Sequence, residues 1–197
     1  MLFKAVKRLM PKVRLFITIS KKMSLIYGTL LKKSSIYYAN MPEVDGFGKM
    51  EEKVVGGDTI ITYAGGLHYN RWKTLSALGK AIQQYNAENR RTVRLNIFSQ
   101  TRPEGVIMDS ICIPGASSYL GSLSSEQVKT VLVNSDVLVH VESFEQEDIE
   151  ATRLSFSTKI YEYMATGKAV LAIGPDAVAS IDYLKDCSFY AGKQEDI

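Results

Sequence analysis

The chain has 197 residues, 46% of them hydrophobic and 23% charged, with a formal net charge of +3. That is enough to bury a substantial core in one domain or a domain with an appendage. Its two cysteines, Cys112 and Cys187, have no metal-binding or redox spacing, which argues against a disulfide scaffold and fits a reduced, cytoplasmic compartment.

The basic charge is concentrated at one end. Residues 1–42 hold nine Lys or Arg and no Asp or Glu, against fifteen basic and twenty-one acidic residues in the remainder. An anionic membrane surface, a transit peptide or a solvated structural segment would each account for this. Lys21 and Lys22 interrupt the apolar runs, so none reaches the ~20 residues that cross a bilayer. Arg14 to Ser20 (RLFITIS) reads as a buried strand. Lys21 to Leu31 reads as a helix with Met23, Ile26, Tyr27 and Leu30 on one side, a fold a cleavable leader does not need. Asn40-Met41-Pro42, Asp45-Gly46-Phe47-Gly48 and Gly56-Gly57 then punctuate the chain; the GxG is too incomplete for a dinucleotide fingerprint.

From Asp58 the pattern alternates strand and helix, which predicts an α/β fold: a Rossmann-like parallel sheet with helices on both faces. Strand Thr59 to Ala64 is followed by a helix over Asn70 to Asn86, whose Trp72, Leu75, Leu78 and Ile82 form a sheet-facing stripe. Strand Val93 to Phe98, a loop with Pro103 and Gly105, and strand Ser117 to Gly121 come next. Ser124 with Gln127 predicts a capping box for a helix to Asn134. Asp136 to Val141 reads as a buried parallel strand that packs His140, and Ala169 to Ile173 as the next strand. Asp176 is expected to cap a helix through Leu184, before a last strand at Ser188 to Ala191.

Two segments carry chemistry. In Ser155 to Pro175 (SFSTKIYEYMATGKAVLAIGP), Ser157 is the expected N-cap of a helix over Thr158 to Thr166, which Gly167 ends. Unpaired N–H groups at Ser157, Thr158 and Lys159 would favour an anion. Glu162 lies one turn on, suited to ribose hydroxyls, or paired with Lys159 as a solvated i, i+3 contact. In Tyr63 to Leu78 (YAGGLHYNRWKTLSAL), Gly65 and Gly66 allow close backbone approach to a ligand, and Arg71 offers a planar fork of donors to phosphate. The alternative is a tight turn with a solvated arginine. His68, in the same loop, is a ligand contact or a bystander.

These segments resemble the C-terminal, donor-binding half of a GT-B glycosyltransferase of the retaining, family-4-like kind, over most of Asp58 to Gly192. The resemblance implies that Glu162 contacts the ribose of a nucleotide sugar, while Arg71, Lys159 and the amides at Ser157 and Thr158 hold diphosphate and sugar. The family pairs this glutamate with another eight residues upstream, where this chain has Leu154; Glu142 or Glu150 would then supply the first carboxylate, with Glu142 favoured. The first basic position of the family's phosphate pair is occupied by Gly66.

The resemblance further implies an N-terminal-domain remnant at 1–42, an interdomain linker at 43–57, and a C-terminally truncated nucleotide-sugar domain at 58–197. The nucleobase would lie beside Ser117 to Gly121. The expected activity is sugar transfer, with retention, from a nucleotide sugar to a saccharide or lipid-linked acceptor. It would need no cofactor, essential metal or nucleic acid, and would take place in the cytoplasm, with the basic end against a membrane. Rival readings are a truncated, non-catalytic nucleotide-binding module, another GT-B enzyme, and a peripheral membrane scaffold.

Overall fold

The structure, a computed structural model, describes residues 2–38 and 57–197. The punctuation expected at Asn40 to Pro42 and at Asp45 to Gly48 lies outside them.

The basic end folds as a small unit. Helix α1 (Leu2–Leu9) runs into a 3₁₀ turn at Met10–Lys12, then β1 (Phe16–Thr18), α2 (Lys21–Leu31) and β2 (Ser35–Tyr37). The Ser20 side chain caps α2 by accepting from the Met23 amide, and Lys32 ends the helix in a left-handed conformation. Strand β1 is shorter than the apolar run Arg14 to Ser20 and is not the buried strand expected there, since Leu15, Ile17 and Ile19 are exposed. It pairs in parallel with β2, Phe16 opposite Ser35 and Thr18 opposite Tyr37.

The second sheet comprises β3 (Thr59–Ala64), β4 (Val93–Phe98), β5 (Ser117–Gly121), β6 (Val137–Val141), β7 (Ala169–Ile173) and β8 (Phe189–Ala191). It is all parallel, in the order β5-β4-β3-β6-β7-β8. Both faces are buried, which explains the near-continuous apolar strands. Ile61, Tyr63, Leu95, Ile97, Val139 and Val141 point to one core with Leu75, Leu78 and Ile82 of α3 (Arg71–Glu88). Burying each of those three helix side chains stabilises the fold by about 1.5–3 kcal/mol. Trp72 packs on the rim of this core. The opposite core joins Leu138, Val170 and Ala172 to Leu132 of α5 (Ser125–Asn134), Ile160 of α7 (Lys159–Ala165) and Ile181 of α8 (Ala179–Leu184).

The remaining helices are α4 (Gly105–Ile111) and α6 (Gln146–Thr152). Helix α4 stands where Pro103 and Gly105 suggest only a loop, because Glu104 is an extended N-cap and Gly105 enters the helix at a φ of +50°. The capping box of Ser124 and Gln127 forms as expected. Asp176 does not cap α8: Pro175 to Val178 close a turn of their own, and Val178 is the N-cap.

Candidate functional site

The sheet order reverses between β3 and β6, since the chain leaves β3 toward β4 on one side and β6 toward β7 on the other. A crevice opens at the carboxyl ends of strands at such a point. Here it is a cleft of about 640 Å³.

Its near wall is the loop after β3. Gly65 lies so close to Tyr63 that a Cβ would stand 2.7 Å from the Tyr63 hydroxyl, which itself donates to the Gly66 carbonyl at 2.6 Å. Burial pushes the Tyr63 phenol up, so it stays a donor. Tyr69 and Asn70 then take left-handed conformations, φ +54° and +49°, to turn the chain into α3. Asn70 tolerates this readily and is anchored through Nδ2, which donates to Asp148 Oδ2 at 2.9 Å.

This turn places Arg71 as the first residue of α3, facing Glu142, the residue after β6. Arg71 Nε donates to Oε2 at 2.9 Å and Nη2 to Oε1 at 3.0 Å, a bidentate pair with the side chains 12% and 1% exposed. Nη1 meets His68 Nε2 at 3.0 Å. Ser180 of α8 donates to Glu142 Oε1 at 3.1 Å, and Thr74 Oγ1 to its carbonyl at 2.8 Å. His140 Nε2 comes within 3.3 Å of Oε1, an ion-pair contact out of alignment for a hydrogen bond. Burial alone would raise the Glu142 carboxyl; His140 and the Arg71 fork outweigh it and hold the group below the usual carboxylate range. Partial burial, then Arg71, lowers the His68 imidazole.

The far wall is the entry to α7. The N-cap falls on Thr158 rather than Ser157, and makes no side-chain cap bond. The Ser157 carbonyl accepts from the Ile160 amide at 3.2 Å, so the first turn is tight and Thr158 is already helical. Lys159 Nζ donates to Glu162 Oε2 at 2.7 Å, with the two side chains 34% and 20% exposed.

Gly65, Gly66, His68, Arg71, Glu142, Ser157, Thr158 and Lys159 therefore line one cleft, while Glu162 stands just behind the wall, holding Lys159. Strand β5 supplies no wall residue. Ser99, Gln100 and Thr101 after β4, with Leu123 and Val128, form that end instead. Ser99 to Thr101 and Leu123 have position as their sequence signal, following β4 and β5 at the carboxyl edge, whereas Val128 lies within α5. Among the described residues, no group of three or more His, Cys, Asp or Glu is placed to hold a metal ion.

No family model and no curated protein matches the sequence. Solved structures do match. The OtsA trehalose-6-phosphate synthase superposes with a TM-score of 0.68 at 10% identity, over 98% of this chain and 52% of that one. The α,α-trehalose-6-phosphate synthase of Burkholderia multivorans gives 0.65 at 10% identity, over 96% and 50%. WaaG, a glycosyltransferase involved in lipopolysaccharide biosynthesis, gives 0.55 at 11%, over 91% and 50%. The chain has the fold of one half of a GT-B glycosyltransferase. It spans about half the length of these GT-B structures.

Proposed function

We propose that the chain supplies the donor side of a glycosyltransferase that moves a sugar from a nucleotide sugar to a saccharide or lipid-linked acceptor, with retention of configuration. The observation that carries this reading is the convergence of Arg71, Lys159 and the Gly65–Gly66 backbone on one cleft at the switch point of a GT-B half.

Arg71 is fixed by Glu142 and offers its remaining N–H groups to the diphosphate. Lys159 exchanges Glu162 for a phosphate oxygen, which leaves the Glu162 carboxylate to ribose hydroxyls. Fixed cations aimed at the departing diphosphate stabilise the charge that grows there without a resident metal. Glu142 acts as a positioning residue, because its carboxylate is taken up by Arg71 and Ser180. We place the chain in the cytoplasm with its basic end toward an anionic membrane. This is supported by exposed Lys4, Arg8, Lys12 and Arg14 beside exposed Leu9, Leu15 and Ile17.

Calorimetric titration with UDP, GDP and their sugar conjugates tests the donor reading, beside Lys159→Met and Glu162→Ala. Binding that weakens about tenfold in Lys159→Met, the loss of one charge-assisted contact, supports it. A folded wild-type chain that binds none of these ligands refutes it.

A further inference from the structure

A second cavity, of about 320 Å³, lies where the basic unit meets the large sheet. One wall is Ser20, Lys21 and Lys22 at the start of α2 with Tyr37 at the end of β2; the other is Tyr161 of α7 and Asp182, Tyr183 and Asp186 in and after α8. Phe156 lines both this cavity and the donor cleft, so the two spaces share a partition.

Three of its rings form one cluster. Phe156 is 5.3 Å from Tyr161 and 5.2 Å from Tyr183, and the two tyrosines are 6.3 Å apart. Tyr37 lines the same cavity. A ring cluster of this kind normally closes into a core, yet Tyr37 and Tyr183 stay 43% and 42% exposed. The Tyr183 hydroxyl donates to the Met164 sulfur at 3.6 Å. The walls are held by Lys22, whose Nζ donates to the Asp176 and Ala177 carbonyls at 3.2 and 2.8 Å. Asp186 lies exposed at the rim.

Aromatic faces beside carboxylates, hydroxyls and an ammonium suit a ligand that is apolar on its faces and hydroxylated at its edge. A pyranose ring has that character, and the volume falls at the small end of the ~300–1,000 Å³ range of small-molecule sites. The two lysines are turned to the walls themselves: Lys22 is bonded to the Asp176 and Ala177 carbonyls, and Lys21 lies 5.9 Å over the Tyr37 ring.

We propose that this cavity is a sugar-ring subsite for the acceptor, in which Tyr37 and Tyr183 flank the ring and Asp186 takes its hydroxyls. The word acceptor rests on the donor reading of the adjoining cleft; the sugar site itself does not.

The test is saturation-transfer NMR on the full chain with methyl pyranosides of glucose, galactose and mannose as probes, and with UDP and GDP titrated into the same sample. The expected result is transfer to the ring C–H protons of at least one pyranoside. The affinity should fall about three- to tenfold in Tyr37→Ala, the loss of one aromatic face, fall in Asp186→Asn, and hold in Lys159→Met. Asp186→Asn alters an exposed side chain, so its effect does not depend on Tyr37→Ala folding normally. No transfer from the wild type, or transfer untouched by both variants, overturns the subsite. Tyr37-dependent pyranoside binding without any nucleotide binding upholds the sugar site and removes the donor reading; nucleotide binding without pyranoside binding does the reverse.

Discussion

Replacing Glu142 with Gln should be among the most destabilising single changes available to the large sheet. Arg71 would remain 12% exposed with its charge uncompensated and its Nε and Nη2 donors facing a neutral amide with one acceptor oxygen in place of two. Breaking a buried pair by removing one partner costs about 3–5 kcal/mol. The residual exposure of Arg71 and its contact with His68 place this case at the low end, about 3 kcal/mol. For a chain of this size each kcal/mol moves the melting temperature by roughly 2–4 °C, so the variant should melt about 6–12 °C lower. Differential scanning calorimetry of wild type, Glu142→Gln, Arg71→Met and the double variant measures the coupling. The double variant should recover part of the loss, since removing the guanidinium as well leaves no uncompensated charge in the site. A loss under about 1 kcal/mol in Glu142→Gln would rank the contact with surface ion pairs and refute the argument.

The same carboxyl gives a pH dependence. Its folded value is depressed, so its stabilising contribution is present above the ordinary value of about 4.3 and is lost as pH falls through the lower folded value. The stability difference between wild type and Glu142→Gln should be flat from neutral pH to about 5 and shrink below about 4, which chemical denaturation across that range would show. Tyr63 and Tyr163 are raised by burial and act in the opposite sense, their stabilisation falling away as pH rises past about 10. Gly174→Ala should destabilise by about 2 kcal/mol: φ is +151° and the new Cβ would lie 2.9 Å from Glu142 Cβ and 3.1 Å from Ile181 Cγ1. An unchanged urea midpoint would contradict the crowding. Ser124→Ala should cost about 1 kcal/mol through loss of the capping box, read by the same unfolding curve.

The inner parallel strands were legible because burial on both faces writes itself as apolar runs, and Thr59–Ala64, Val93–Phe98 and Ala169–Ile173 stand as the pattern sets them. Gly65, Gly66 and Arg71 were legible as residues of one crevice because they follow β3 at the carboxyl edge, and Lys159 because it opens a helix. The bond between Arg71 and Glu142 was not, because the partners lie 71 positions apart and meet only after β3 and β6 pair. Helix α4 was hidden by its glycine start. The N-cap at Thr158 depends on a backbone conformation that Ser157, a better capping residue by type, does not disclose. The cavity beside Phe156 has no motif at all, since its walls come from four separate stretches of chain.

Arg71 and Lys159 in the cleft, and Lys73 nearby on α3, each have a counterion: Glu142, Glu162 and Glu145, the last at 2.7 Å. These neutral pairs project little field into solvent, so an approaching anion is not drawn in from a distance as it would be by a bare positive funnel. Capture becomes a partner swap at short range. Association would then be slow for a diphosphate and nearly indifferent to ionic strength, and the selectivity of the cleft would reside in how fast a ligand leaves rather than how fast it arrives.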